Sequence, residues 1–267
     1  MKRGFFIVMA AQGLSSLADN ALFIAAIALI QQLHGPDWMA PMMKWWFAAA
    51  YVLLAAFVGA FSDAFPKGWV MFLTNAIKVS GCLLMFSYAM FGLPPNAQVL
   101  LVCVAYGLVG IGAAAYSPAK YGIVTEMLPP LQLVKGNSWI EGLTITSIIL
   151  GVLLGGQLVG PNLSAWLLSF DLPLLNTGID TSAEAAICLL IPLYALAAWF
   201  NKRIPYTGAA LIPMRLDPEK TMVRNLLALV PDFWHCNQRL WHDKLGQISL
   251  ATTTLFWGVS GNLRYIV

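Results

Sequence analysis

Long apolar stretches recur along the chain, and they constrain its fold more than any other feature of the sequence. They run over residues 5–30, 45–65, 69–91, 97–116, 140–160, 185–200 and 248–267. An α-helix needs about 20 apolar residues to cross a bilayer. Strands of a membrane barrel alternate strictly between apolar and polar residues, and these stretches do not. Because 59% of the residues are hydrophobic and only 10% are charged, we predict an all-α polytopic membrane protein.

The distribution of basic residues predicts how these spans are oriented. Lys2 and Arg3 precede the first span, and most other Lys and Arg residues fall in connections on that same side. The connection 161–184 lies on the opposite side and contains Asp and Glu but no Lys or Arg. Since cytoplasmic loops are enriched in Lys and Arg, we expect a cytoplasmic N-terminus. The basic residues are thus explained by membrane topology, and no nucleic-acid partner is predicted.

A long basic connection divides the predicted spans into two groups. Residues 1–200 form a six-span bundle, residues 201–247 a cytoplasmic linker with surface helices, and residues 248–267 one further span. Within the linker, Asp217-Pro218-Glu219 is typical of a helix start. The last apolar run ends without a polar tail, so we expect a fragment whose second half follows. Six spans, a basic linker and a new set of spans resemble the plan of the major facilitator superfamily.

Asp19 and Asn20 stand in the middle of the first apolar stretch. An ionisable group at membrane depth costs at least ~2.5–3.5 kcal/mol on insertion scales, so by default it marks a functional site. The alternative is a structural hydrogen bond between helices. Sliding residues 17–24 onto residues 259–266 superposes Asn20 on Asn262, which is a weak sign that spans one and seven correspond.

The junction between the second and third spans reads GAFSDAFPKG over residues 59–68. It resembles the cytoplasmic gate signature of the same superfamily, and we assign Gly59, Asp63 and Lys67 to the gate. Gly59 is expected to permit close helix approach, and Asp63 to cap or pair near a neighbouring helix end. Pro66 replaces the usual glycine, and an ordinary charged turn is the alternative.

The fourth span ends in GIGAAAYSPAKYGI over residues 110–123. Its small residues let helix backbones approach closely. Pro118 cannot donate a helical hydrogen bond, so we predict that it kinks or ends the span, and we assign it to the gate. Lys120, held near a broken helix end, is a good partner for a phosphate or a carboxylate. Alternatively it extends to the membrane surface, as we also interpret Lys78 in the third span.

Three segments together resemble the bacterial lysophospholipid transporters, which belong to the major facilitator superfamily. They are LADNAL at 17–22, GAAAYSPAKYGI at 112–123, and LFWG at 255–258 before Leu263-Arg264. The resemblance implies flippase-like movement of lysophospholipids, chiefly lysophosphatidylethanolamine, from the outer to the inner leaflet of the bacterial inner membrane. An acyltransferase then regenerates the diacyl lipid there. The resemblance implies a lysophospholipid and the bilayer as partners, functional coupling to the acyltransferase, and no cofactor or metal.

A lysophospholipid presents a phosphate, often an ammonium, and one acyl chain. We hypothesise that Asp19 meets the ammonium or a coupling cation, and that Arg264 and Lys120 meet the phosphate. Asp19 and Arg264 are also predicted to pair with each other when no lipid is bound. The alternative for Arg264 is a structural salt bridge to another helix.

Asn20 and Glu141 are assigned as secondary polar contacts of the substrate. Glu141 lies near the cytoplasmic start of the fifth span. For this residue, structural pairing with Lys120 or Lys135 is an equal alternative.

Three other functions stay open from the sequence. The first is a drug or metabolite exporter of the same superfamily, coupled to protons through Asp19. The second is a membrane-embedded lipid enzyme, but the chain has only three histidines and lacks the His-Glu-x-x-His and Gly-x-Ser-x-Gly motifs. The third is a non-transporting partner of an acyltransferase that docks through residues 201–247. We expect no enzymatic activity.

Overall fold

The computed structural model describes residues 3–168, 179–214 and 221–266. Its helices are α1 (Arg3–Gln32), α2 (Met39–Ala64), α3 (Lys67–Phe86), a 3-10 turn (Ser87–Phe91), α4 (Pro95–Met127), α5 (Pro130–Val159), α6 (Pro161–Leu168), α7 (Ser182–Lys202), α8 (Met222–Leu227), α9 (Leu229–His242) and α10 (Lys244–Ile266). Six helices of the described chain, α1 to α5 and α7, are long and apolar enough to cross a membrane. The prediction of an all-α polytopic chain is confirmed.

The chain divides into two compact units, Met1–Met214 and Arg215–Val267. The first unit therefore extends past the predicted boundary at residue 200. Thr207 explains why, since its hydroxyl donates a 2.5 Å hydrogen bond to Glu126 of α4. The backbone N–H of Ile212 likewise donates to the carbonyl of Asp63, at 3.0 Å. The start of the predicted linker is thus attached to the helices that precede it.

The second unit contains α8, α9 and α10. Large apolar side chains of α9, among them Phe233, Trp234 and Trp241, are exposed. The predicted helices of the linker are present, but the expected helix start at 217–219 lies outside the described residues. The position of these helices on the membrane surface stays a prediction. The same holds for a seventh span, because α10 covers that stretch without being among the six membrane-length apolar helices.

Helix α1 is the centre of the first unit and packs on α5, α7 and α4. Its contact face is built from small residues, and Ala18, Ala21 and Ala25 are completely buried. On α5, a methyl group added at Gly155 would stand 2.8 Å from the carbonyl oxygen of Ala21. Small residues at these positions allow the two backbones to approach closely, as in other membrane helix pairs.

One end of this unit collects the starts of α1, α3 and α5 and the ends of α2, α4 and α7. There the side-chain amide of Asn201 donates to the carbonyl of Met71 at 3.0 Å. We call it the basic end, because Lys67 and Lys202 lie there. At the opposite end, Thr181 and Glu184 form a capping box at the start of α7. Glu184 also accepts a 2.7 Å hydrogen bond from Tyr88.

Pro118 does not end the fourth span. Helix α4 continues through Pro118 to Met127, so the predicted end of the apolar span near residue 116 is too early. A proline removes one hydrogen bond from the helical ladder. The following turns are held by packing, because Ala119, Ile123 and Val124 are fully or almost fully buried. Lys120 therefore lies within a continuous helix and not at a helix end.

Candidate functional site

Asp19 and Lys78 form an ion pair inside the first unit. The Lys78 ammonium lies 2.7 Å from Oδ2 of Asp19, and the two side chains are 1% and 17% exposed, respectively. The other carboxylate oxygen, Oδ1, accepts a 2.7 Å hydrogen bond from the hydroxyl of Tyr194. The three residues belong to α1, α3 and α7, so this cluster connects three membrane helices.

The Lys78 ammonium is surrounded by groups that suit a cation. Besides Asp19, it donates a 2.9 Å hydrogen bond to the hydroxyl of Ser15. The rings of Tyr116 and Tyr194 lie 5.2 and 5.7 Å from it, measured to their centroids. Aromatic faces within about 6 Å attract a cation through the ring quadrupole. A carboxylate, a hydroxyl and two rings thus form a site for a primary ammonium, which the protein's own lysine occupies.

The polar cluster extends from Ser15 towards the basic end. Ser15 donates a 2.8 Å hydrogen bond to Oδ1 of Asn75, which is fully buried. Nδ2 of Asn75 has no hydrogen-bond partner among the described residues. One turn before Ser15, Gln12 donates to Thr144 of α5 at 3.2 Å. Polar side chains therefore follow one face of α1 along several turns.

Lys120 is buried, and it forms no ion pair with any carboxylate of the described residues. Only 6% of the residue is exposed, and its ammonium lies 4.2 Å from the ring centroid of Tyr121. No carboxylate within the described part of the chain forms an ion pair with it. A buried cation without a counter-ion is costly, so this position is suited to receive an anion.

Lys78 and Lys120 approach the same face of α4. Gly112, Tyr116 and Lys120 are spaced four residues apart, and such positions are neighbours on a helix surface. Lys78 packs on the first two of them, since a methyl group added at Gly112 would lie 2.8 Å from its Cγ. Lys120 occupies the next turn. Lys78 and Lys120 are therefore successive along one helix face, and among the described residues only Lys78 of these two forms an ion pair.

Glu141 pairs with neither Lys120 nor Lys135. Its carboxylate instead accepts a 2.5 Å hydrogen bond from the hydroxyl of Tyr121. The alternative that Glu141 forms a structural ion pair with one of these lysines was therefore wrong. The hydroxyl that binds this carboxylate belongs to the residue next to Lys120, and Lys120 is the more buried of the two neighbours.

Asn20 and Arg264 were both assigned to the substrate site, and the structure describes the side chain of Asn20. The Asn20 amide donates a 2.8 Å hydrogen bond to the carbonyl of Ser16, on its own helix. Arg264 lies in α10, and its side chain lies outside the described residues. Its pairing with Asp19 stays a prediction. Within the described residues, the partners of the Asp19 carboxylate are Lys78 and Tyr194.

The interpretation of Lys78 as a surface-seeking lysine was wrong. It stands eleven positions after Lys67, where α3 begins, which is roughly 16 Å along the axis at 1.5 Å per residue. That depth exceeds the reach of a lysine stem and was a usable signal in the sequence. Tyr194 gave no comparable signal, because a tyrosine in an apolar span resembles any other aromatic packing residue.

A second lysine cluster lies at the basic end, at the predicted gate. The ammonium of Lys67 lies 2.6 Å from Asp63 and 4.0 Å from Glu126, and it donates to the carbonyl of Ser62 at 2.8 Å. Lys67 is 8% exposed at its side chain, whereas Asp63 is 57% exposed. A methyl group added at Gly59 would meet nothing within 4 Å. Among the described residues, no neighbouring helix therefore packs closely on Gly59, although close approach was predicted there.

No group of three or more His, Cys, Asp or Glu side chains within the described ranges is arranged to hold a metal ion. Among the described residues, the interior of the first unit holds the Asp19 carboxylate, the lysines Lys78 and Lys120, and tyrosines that lie beside them. This arrangement can bind ions of both signs within a helical membrane bundle. The fold is that of a multi-pass helical membrane protein with charged side chains in its interior.

Comparison with known proteins identifies the family. Residues 8–261 match the Major Facilitator Superfamily, and the chain belongs to that superfamily. It is 38% identical over all 267 residues to proteins named lysophospholipid transporter LplT from Yersinia enterocolitica and from Yersinia pestis. The match covers 100% of this chain and 56% of each relative. The chain thus spans about half the length of these relatives. The resemblance found in the sequence is confirmed.

Proposed function

We propose that the complete protein moves lysophospholipids, chiefly lysophosphatidylethanolamine, from the outer to the inner leaflet of the bacterial inner membrane. The name of the Yersinia relatives supports this substrate class. So does the sequence AYSPAKYG at 115–122, which holds Lys120. Moving a charged headgroup through hydrocarbon unaided requires burying charge at a cost of several kcal/mol. A carrier lowers that cost by replacing water with fixed charges of opposite sign.

The observation that carries the proposal is the burial of Lys120 with no ion pair to a carboxylate of the described residues. Every lysophospholipid contributes a phosphate, and a phosphate supplies the missing counter-charge. Hydrogen bonds between ionised partners are about twice as strong as neutral ones. We therefore assign Lys120 as a phosphate ligand. Arg264 is proposed as a second one from the other half of the site.

Asp19 is proposed as the partner of the substrate ammonium. The ammonium of phosphatidylethanolamine lipids is primary, like that of Lys78, so it fits the same carboxylate and the same aromatic faces. Asn20 and Glu141 are proposed as secondary polar contacts. For Glu141, its proximity to Lys120 through Tyr121 supports this assignment.

The cluster at the basic end is proposed as the cytoplasmic gate. Lys67 there holds the turn between α2 and α3 against Glu126 of α4, so opening of this end requires that it change partners. Asp63 and Lys67 carry this function, and Gly59 offers an open surface for an approaching helix. Pro118 is proposed to let α4 bend during opening, because one hydrogen bond of its ladder is missing.

Coupling to an acyltransferase is proposed as the step that consumes the transported lipid, and the protein itself is proposed to have no enzymatic activity.

The N-terminus of the protein is proposed to be cytoplasmic. An impermeant maleimide tests that orientation at Cys236, which is exposed. In a Cys188→Ser background, Cys236 should stay unlabelled in intact spheroplasts and react in inverted vesicles. The opposite pattern would reverse the proposed topology.

The functional test uses the complete gene in spheroplasts of a host that lacks its own transporter and retains its acyltransferase. Labelled lysophosphatidylethanolamine is added outside, and its conversion to the diacyl lipid is followed. We expect gene-dependent conversion that falls about tenfold or more in Asp19→Ala and Lys120→Met. It should be kept in Lys135→Met, the matched change of an exposed lysine.

Conversion that needs the gene but not Asp19 or Lys120 would refute the site and keep the function. No gene-dependent conversion, with the protein present in the membrane, would refute the function and favour an exporter of small molecules. Transport by the purified protein in liposomes separates a carrier from a non-transporting acyltransferase partner. A true carrier equilibrates the lipid between leaflets without the enzyme.

A further inference from the structure

We propose that the Asp19–Lys78 pair decides which headgroup charges the protein accepts. A zwitterionic headgroup opens the pair: its ammonium takes the place of Lys78 at Asp19, and its phosphate binds the released Lys78 together with Lys120. A headgroup without an ammonium leaves the pair closed and binds Lys120. This inference rests on the proposed function and adds Lys78 to it as a residue that determines specificity.

The first argument is that a primary ammonium, that of Lys78, already occupies the site beside Asp19. The groups around the Lys78 ammonium are a carboxylate at 2.7 Å, a hydroxyl at 2.9 Å and two tyrosine rings. They would serve an ethanolamine ammonium equally well, since both cations are primary. The lysine is thus a tethered competitor of the substrate.

The second argument is that the carboxylate stays in place when the lysine leaves. Oδ1 of Asp19 is held by Tyr194 from α7, independently of Lys78. Lysine has a flexible four-carbon stem and a point charge, so it can change partners without moving the backbone. Its stem already lies on the α4 face formed by Gly112 and Tyr116. Lys120 follows on the next turn of α4. A Lys78 side chain released from Asp19 can therefore turn along this face towards a phosphate bound at Lys120.

The third argument is the net charge that is buried when the headgroup binds. The closed pair is neutral, and so is a phosphoethanolamine headgroup. Inserting the headgroup between the two partners converts one ion pair into two and buries no uncompensated charge. A headgroup with a phosphate and no ammonium brings one extra negative charge, and Lys120 is a buried cation that forms no ion pair with the described residues. Buried charges are tolerated when paired, so both modes are permitted.

The test compares two labelled lipids in the spheroplast assay, zwitterionic lysophosphatidylethanolamine and anionic lysophosphatidylglycerol. The readout is the conversion rate of lysophosphatidylethanolamine divided by that of lysophosphatidylglycerol. This ratio does not depend on the amount of protein in the membrane. In Lys78→Met the bare Asp19 carboxylate repels a phosphate unless the substrate brings its own cation. The ratio should then rise about tenfold, because hydrogen bonds to charged groups contribute about 1.5–3 kcal/mol.

Asp19→Asn should change the ratio in the opposite direction. The ammonium loses its partner, whereas the freed Lys78 adds to phosphate binding, so the ratio should fall about tenfold. The double variant Asp19→Asn/Lys78→Met removes both charges and should return the ratio towards that of the wild type. A purely structural pair would depress both lipids equally in every variant.

Ser15→Ala keeps both charges and removes only the hydroxyl that accepts a hydrogen bond from the Lys78 ammonium. It is therefore informative even if a charge variant fails to insert into the membrane. It should raise the ratio about threefold, because the Lys78 ammonium loses one hydrogen bond while its ion pair with Asp19 stays. Unchanged ratios in variants that still convert lipid would overturn the inference and leave the proposed function standing. Absence of gene-dependent conversion of either lipid in the wild type would overturn both.

Discussion

Two buried lysines of this protein each lie within 2.7 Å of an aspartate, yet the two pairs differ in nearly every other respect. Lys67 meets Asp63 four residues away, and that aspartate is 57% exposed. Lys78 meets Asp19, which is 59 positions distant in the chain and 17% exposed. The first pair belongs to one turn between two helices. The second joins separate helices and, through Tyr194, reaches a third.

The difference teaches that distance alone does not determine what an ion pair contributes. Exposed pairs typically contribute about 0–1 kcal/mol, because water solvates either partner when the other is lost. Removal of one partner of a buried pair leaves an uncompensated charge and costs about 3–5 kcal/mol. The Asp19–Lys78 pair should therefore affect stability and transport together, whereas the Asp63–Lys67 pair should affect opening of the gate with little effect on stability.

The largest effect is expected from Asp19→Ala. This change leaves the Lys78 ammonium buried with one hydroxyl and two rings, so the free energy of unfolding should fall by about 3–5 kcal/mol. Denaturation of the complete protein in detergent, followed by tryptophan fluorescence, measures it. A loss below about 1 kcal/mol would mean that water reaches the pair and that the contrast between the two clusters is false.

Lys120→Met extends the comparison to a lysine that has no carboxylate partner. Its removal relieves the cost of burying a charge, so stability should be unchanged or higher. Conversion of labelled lysophosphatidylethanolamine should nevertheless fall about tenfold or more, since a charged hydrogen bond to the phosphate is lost. Lys135→Met serves as the control. A destabilised Lys120→Met protein would indicate an anionic partner for Lys120.

Gly112→Ala sharpens the comparison without changing a charge. The added methyl group would lie 2.8 Å from both Cγ of Lys78 and the carbonyl oxygen of Thr74. Overpacking of this kind typically costs about 1–3 kcal/mol, and here it also displaces the lysine from Asp19. Gly107→Ala on the same helix is the matched control, because nothing lies within 4 Å of its added methyl group. Equal unfolding free energies of the two variants would contradict the described packing.

Asp63→Ala should have the smallest effect on stability. The carboxylate is exposed, and Lys67 keeps the carbonyl of Ser62 and the more distant Glu126. The free energy of unfolding should change by less than about 1 kcal/mol. Transport rate should change more than stability, which comparison of initial rates with unfolding curves would establish. A loss of several kcal/mol would show that this end of the bundle is as tightly coupled as its interior.

The sequence predicted the helical spans well, because length and apolar composition alone determine them. It also indicated Asp19 and Lys120, since charged residues stand out in apolar runs. The partner of Asp19 could not be read from it. Lys78 comes close to Asp19 only when α1 packs against the neighbouring helices, and no local spacing records that. The Asp63–Lys67 pair, by contrast, follows from a four-residue spacing.

Other errors have local physical causes. Pro118 was expected to kink or end the fourth span, and it does not end it, because burial of the following turn keeps α4 continuous. For Glu141, pairing with a lysine was one of two alternatives, and the hydroxyl of Tyr121 is its partner instead. The boundary after the sixth span was placed too early. Composition showed a polar, basic segment there, and it could not show that Thr207 bonds to α4.

A double-mutant cycle on the complete protein tests most directly that Lys78 is the partner of Asp19. The free energies of unfolding of Asp19→Asn, Lys78→Met and the double variant give their coupling energy, with Asp63→Asn and Lys67→Met as the reference cycle. We predict a coupling of about 2–3 kcal/mol for the interior pair and below about 1 kcal/mol for the gate pair. Negligible coupling between Asp19 and Lys78, with strong coupling between Asp19 and Arg264 in a parallel cycle, would contradict this account.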